Sequence, residues 1–362
     1  MINLDLELKT LADFLLLNAG FSIDDSIQSG KLAVALFFSY AQKHNLVKTP
    51  TKLGQVYLYE IIHADPRNRA NDLPVRATYA RGLPGAGVVL EHLVGEGLLQ
   101  DDMTEVVKII EMILGGLQAN KPTAIDLAEG ITGMGLYLFH RLRSASILKN
   151  GQADQYKEQL KKLLPWLTLL PHSNRQHEMR IWDGSTGVLL WLRLINDYGL
   201  HTSNSQNAEK DITLRLFSQM AKNDFNWHKV EAFFVLSQGS IISRNENLRH
   251  KLFGYFRDFV NDAPAHLPEI DHKSSAFIAL LLYVTGKKYN YMPACALSES
   301  ICHQLKTTLS NHTTGTWFGY DLARNTFDMG LYRGICGTAL PLLSLQTADY
   351  TWLKVLGIDI QL

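Results

Sequence analysis

Gly184-Ser-Thr-Gly187-Val-Leu-Leu-Trp-Leu192 sets two glycines three residues apart at the start of a strongly apolar run. The same arrangement returns as Gly82-Leu-Pro-Gly85-Ala-Gly-Val-Val-Leu90, Gly130-Ile-Thr-Gly133-Met-Gly-Leu-Tyr-Leu138 and Gly334-Ile-Cys-Gly337-Thr-Ala-Leu-Pro-Leu342. Three weaker copies fill the gaps at a period of about 45 to 60 residues. The first is Gly30-Lys-Leu-Ala33-Val-Ala-Leu-Phe-Phe38, with Ala in place of the second glycine. The fifth and sixth are Trp227-His228-Lys229-Val-Glu-Ala232-Phe-Phe-Val-Leu236 and Asp271-His272-Lys273-Ser-Ser-Ala276-Phe-Ile-Ala-Leu280, with Lys and Ala at the two small positions. Recurrence at such a period marks a repeat architecture, in which each unit buries its apolar face against its neighbours.

Each repeat carries a second helix of different character. In residues 101–117 the apolar Val106, Ile110, Ile113 and Leu117 share one helical face, and acidic residues open the first turn. The runs after the glycine motif are instead apolar around nearly the whole circumference, which suits helices packed on both sides. The predicted fold is therefore all-α, an α/α toroid (a double α-barrel) of about seven helix pairs forming one domain over residues 1–362. Glycine at the start of each inner helix allows the preceding loop a close approach. Two polar stretches, Ser144–Gln152 and His201–Ala208, read as loops between paired helices.

Composition narrows the function. Lys plus Arg and Asp plus Glu each number 35, so no net charge recruits nucleic acid or an anionic membrane. The first residues lack the basic and apolar regions of a signal peptide, and no apolar run reaches the roughly 18 residues of a membrane span, which predicts a cytoplasmic protein. Cys295, Cys302 and Cys336 form no Cys-x-x-Cys pair and read as ordinary buried thiols. His177-Glu-Met-Arg180 lacks the second histidine of a metalloprotease helix, and no phosphate-binding glycine motif occurs. Trp182, Trp191, Trp227 and Tyr137 read as core.

Seven helix pairs with Gly-x-x-Gly at the inner-helix start resemble the lanthionine synthetase C-like family, the lanthipeptide cyclases, over essentially the whole chain. The resemblance implies an α/α toroid with a catalytic zinc at its mouth, activating a peptide cysteine for addition to a dehydroamino acid. It also implies a precursor peptide or peptide-maturation enzymes as partners. The family's zinc ligands come from Trp-Cys-Tyr-Gly in the fifth repeat and Cys-His-Gly in the sixth. Here those places read Trp227-His228-Lys229 and Asp271-His272-Lys273, so both ligand cysteines are replaced and His272 is the surviving ligand. Asp183 stands where the family carries its candidate acid/base histidine, which makes Asp183 and His272 the candidate catalytic residues.

His228, Asp271 and His272 form a nitrogen and oxygen set able to hold zinc, although zinc affinity of the family type rests on thiolates. The residue before the first small position of each repeat is polar throughout: Ser29, Arg81, Glu129, Asp183, His228, His272 and Arg333. Acidic residues there cap helices, whereas Arg81 and Arg333 oppose the helix dipole and call for an acidic partner in the protein or in a ligand. Arg81, Glu129 and Arg333 are accordingly candidate binding residues of the rim. The resemblance thus predicts a zinc-poor, peptide-binding relative of the cyclases. The alternative is sugar chemistry by Glu129 and Asp183 as an acid and base pair across the mouth.

Overall fold

The computed structural model describes residues 3–21, 24–48, 52–63, 78–99, 108, 110–111, 124–148, 151–169, 178–270, 272–311, 320–321, 326–332 and 334–360. Each copy of the motif starts a helix. These are α2 (Lys31–Lys43), α4 (Leu83–Gly95), α5 (Ile131–Leu148), α7 (Ser185–Asp197), α9 (Lys229–Leu236), α11 (His272–Lys288) and α13 (Ile335–Thr347). Gly30, Gly82, Gly184 and Gly334 occupy the N-cap. In the fifth and sixth copies the helix begins a residue or two sooner than the glycine alignment predicts, with His228 at the N-cap of α9 and His272 opening α11. The seven helices contact one another in the order α2, α4, α5, α7, α9, α11, α13 and back to α2, which closes a ring.

The ring's helices are buried around most of their circumference, as their largely apolar sequences require. Every residue of α2 from Leu32 to Phe38 is inaccessible, as is every residue of α13 from Ile335 to Leu345. An outer layer covers them: α3 (Leu53–His63) on α2, α6 (Ala153–Leu163) on α5, α8 (Ser203–Met220) on α7, α10 (Glu246–Asp262) on α9 and α12 (Met292–Asn311) on α11. These helices bury one stripe only. In α6 it is Tyr156, Leu160 and Leu163, at the spacing of a single helical face. The N-terminal helix α1 (Asp5–Asn18) covers α13, so the two ends of the chain close the ring together. The predicted amphipathic helix at 101–117 lies largely outside the described residues; Lys108, Ile110 and Glu111 are helical, with Ile110 buried. A two-residue hairpin, β1 (Tyr320–Asp321) with β2 (Thr326–Phe327), is the one strand pair among the described residues.

Both stretches predicted as loops are partly helical. Helix α5 runs on to Leu148, its Ser144 hydroxyl donating sideways to Glu91 Oε2 at 2.5 Å. Residues from Ser203 belong to α8, because Thr202 and Ser205 form a reciprocal capping box. A Ser/Thr/Asn-rich run here marks a helix start instead of an irregular link.

The motif's second glycine serves one purpose in four repeats. A Cβ at Gly85, Gly133, Gly187 or Gly337 would overlap a backbone carbonyl oxygen of its own preceding loop: Tyr79, Leu127, Ile181 or Leu331 respectively. Those loops are then laced together around the mouth. Leu331 N–H donates to Ile27 O (2.9 Å), Gln28 N–H to Ala80 O (3.0 Å), Ala80 N–H to Ala128 O (2.9 Å) and Ala128 N–H to Trp182 O (2.9 Å). At the fifth repeat the pattern changes: Ile181 N–H donates to the Glu231 carboxylate (2.7 Å) in place of a backbone carbonyl.

The C-terminal segment fills the middle of the ring. After α13 the chain reverses at Ala348, which adopts the left-handed conformation (φ 57°), and Thr351–Leu356 forms a short 3-10 helix. Tyr79 and His140 hold the carbonyls of Val355 and Lys354, Thr351 Oγ1 lies 2.9 Å from the Tyr40 hydroxyl, and Lys354 Nζ reaches Glu96 at 2.8 Å. Gly357 faces Leu136, Leu190 and Leu194. A segment touching α2, α4, α5 and α7, with Trp352 bonded back to Ser344 of α13, lies on the inner side of the ring.

Candidate ligand site at the mouth of the ring

The cavity at the mouth lies where the backbone lacing gives way to a side chain. It is a partly open hollow, whose space comes to about 560 Å³ only when the solvent-open part is counted. Arg180, His228, Glu231, Ser274 and Tyr332 supply its polar groups; Ile181, Trp182, Phe277, Leu331, Trp352 and Leu356 supply apolar lining. Trp352 and Leu356 come from the C-terminal segment, so the filled ring provides part of the cavity wall.

Glu231 organises the polar side. It sits on α9 at the motif position that carries Thr132, Thr186 and Cys336 in other repeats. Its Oε2 accepts from Ile181 N–H and its Oε1 stands 2.6 Å from His228 Nδ1. On the other side of the imidazole, Arg180 Nε donates to His228 Nε2 at 2.9 Å. A guanidinium only donates, so Nε2 accepts and the ring proton sits on Nδ1, facing the carboxylate. Arg180 Nη1 also donates to the Tyr332 hydroxyl (3.0 Å) and lies 3.6 Å from Asp183 Oδ2, while the Tyr332 hydroxyl donates to the same Asp183 oxygen (3.3 Å). The Tyr332 ring stacks on Trp182 with centroids 5.1 Å apart.

The sequence-derived rim residues separate into two groups. Asp183 and His228 meet at the cavity through Arg180. Arg81 and Glu129 meet each other: Arg81 Nε donates to Gln28 Oε1 (3.1 Å) and lies 3.9 Å from Glu129 Oε1. The acidic partner that Arg81 calls for is thus in the protein. Burial pushes the Glu129 carboxyl up, opposed by Arg81. Glu129 and Asp183 therefore sit in separate ion pairs. Asp271 and Arg333 lie outside the described residues, and of His272 only the helical position is described. Trp191, Trp227 and Tyr137 are core as expected, whereas Trp182 is buried yet borders the cavity. The three cysteines are free and buried; burial raises all three thiols, Cys302 to about 12.

Arg180, Glu231 and Tyr332 were not predicted. A carboxylate between Val230 and the apolar run Ala232–Leu236 is the available signal for Glu231. Arg180 and Tyr332 carry no local signature, since both matter only through partners in other repeats.

The backbone matches that of nisin cyclase with a TM-score of 0.65, covering 97% of this chain and 96% of the cyclase, at 14% sequence identity. The ring has the nisin cyclase fold. No family model and no curated protein sequence matches the chain. At such identity the likeness to nisin cyclase carries architecture and leaves the chemistry to the side chains. Of the three candidate zinc ligands only the His228 side chain is described, and both of its nitrogens are engaged, by Glu231 and by Arg180; no three His, Cys, Asp or Glu among the described residues gather. A guanidinium stands against the imidazole nitrogen that a metal would take.

Proposed function

We propose that this chain is a lanthionine synthetase C-like protein of peptide modification, of the lanthipeptide-maturation type, which holds a precursor peptide or a maturation enzyme at the mouth of the ring. It works as a binding protein and not as a thiolate-zinc cyclase. The fold shared with nisin cyclase supports the setting. The observation that carries the reading is the Glu231–His228–Arg180 array, which puts a fixed cation on the imidazole nitrogen and builds the histidine into the wall. Asp183 and His272 remain the acid/base candidates, and Arg81, Glu129 and Arg333 the rim that a partner meets. Nothing favours the glycosidase reading, whose two carboxylates are each engaged with an arginine.

The test is to mix the purified protein with a dehydrated, cysteine-containing precursor peptide and follow binding and free thiol together. Binding with the thiol count unchanged, weakened by Asp183→Ala, is the expected result. Thiol consumption at a rate set by the protein would restore the cyclase reading, and absence of binding would remove the peptide reading altogether.

A further inference from the structure

We infer that Arg180 reads a terminal carboxylate: the cavity takes the last residue of a peptide, with its α-carboxylate on the guanidinium and an apolar side chain against the apolar lining. This inference rests on the peptide-binding reading above and deepens it.

Three features of Arg180 point to an acidic ligand. Its two hydrogen bonds go to uncharged acceptors, His228 Nε2 and the Tyr332 hydroxyl. Its one carboxylate neighbour among the described residues, Asp183, forms an ion pair with Nη1 at 3.6 Å but no hydrogen bond to it, so the guanidinium fork is not held by a bidentate carboxylate. Its Nη2 donates to no acceptor among the described residues and is not sealed from solvent. The side chain is only 16% exposed, so its charge is weakly screened and its fork is held in place. Glu231 does not cancel it directly, because that carboxylate lies across the imidazole and is occupied by His228 Nδ1–H and Ile181 N–H.

The walls decide what carries the carboxylate. Phe277, Trp352 and Leu356 line the same cavity, so the ligand must be acidic at one end and apolar close by. A C-terminal residue meets this demand, since its carboxylate and side chain branch from one Cα. An internal Asp or Glu does not, because it would carry its charge out along the side chain among apolar groups.

The probe pair is N-acetyl-Gly-Phe as free acid and as amide, titrated against the protein by calorimetry and by fluorescence of the cavity tryptophans. The acid is expected to bind at least tenfold more tightly than the amide. Arg180→Gln is expected to bring acid and amide to equal affinity, and Arg180→Lys to restore the preference only in part, lacking the planar fork. Equal binding of acid and amide, a preference that survives Arg180→Gln, or no binding of either at millimolar concentration overturns the inference. The acid and amide comparison uses the unaltered protein and stands even if a variant misfolds. Binding of precursor peptide with no acid preference would leave the broader peptide reading intact while removing this one.

Discussion

Tyr332, from the seventh repeat, lies flat on Trp182 of the fourth, with ring centroids 5.1 Å apart and planes 11° apart. Its hydroxyl also joins Arg180 and Asp183. One side chain thus spans the mouth between repeats that are not neighbours in the ring. Tyr332→Phe keeps the stack and loses the hydroxyl, which is expected to cost about 1 kcal/mol. Tyr332→Ala loses both and is expected to cost about 2 to 4 kcal/mol. Urea unfolding of the two variants checks the order; equal losses would show that the ring contributes nothing at this position.

Gly187→Ala is expected to destabilise by about 3 kcal/mol or more, since its Cβ would overlap the Ile181 carbonyl and the loop carrying Arg180 would have to move. Gly254→Ala, in the middle of α10 with open space around it, is expected to stabilise by about 0.5 to 1 kcal/mol. Opposite signs for one chemical change, read from thermal melts, test whether the motif glycines are there for close approach.

Two buried histidines predict acid sensitivity. Burial holds His140 down to about 4 and His92 to about 3, from an ordinary 6.5, with neighbouring positive charge adding to the effect. Above the ordinary value both are neutral, folded or unfolded. As the pH falls below it, the unfolded chain gains protons that the folded chain refuses. Stability present at neutral pH is therefore lost through the window from 6.5 down to about 4, at about 1.4 kcal/mol per pH unit for each histidine. His140→Gln, able to keep the bond to the Lys354 carbonyl, is expected to lessen the slope by about half; a pH series of urea midpoints measures it.

Purified protein is expected to carry less than one zinc per chain by elemental analysis. His228 is committed to Glu231 and Arg180, and thiolate ligands of the family type are replaced. One tightly held zinc, lost in His272→Ala, would reverse that expectation.

The repeated glycines, the apolar inner runs and their number made the toroid readable from the chain alone. Steric demands on a backbone are local: a loop folded onto its own helix needs Gly85, Gly133, Gly187 and Gly337 wherever the ring lies. The sequence also marked the fifth repeat as divergent, with Lys229 and Ala232 at the two small positions and His228 before them, and that repeat borders the cavity. What the ligand meets was decided only by tertiary structure. Arg180 finds His228 48 positions along the chain and Tyr332 152 positions along it. The C-terminal segment lines the cavity after turning back into a ring that nothing in its own composition announces. Such convergence depends on ring closure and side-chain reach, and neither leaves a periodic trace in the sequence.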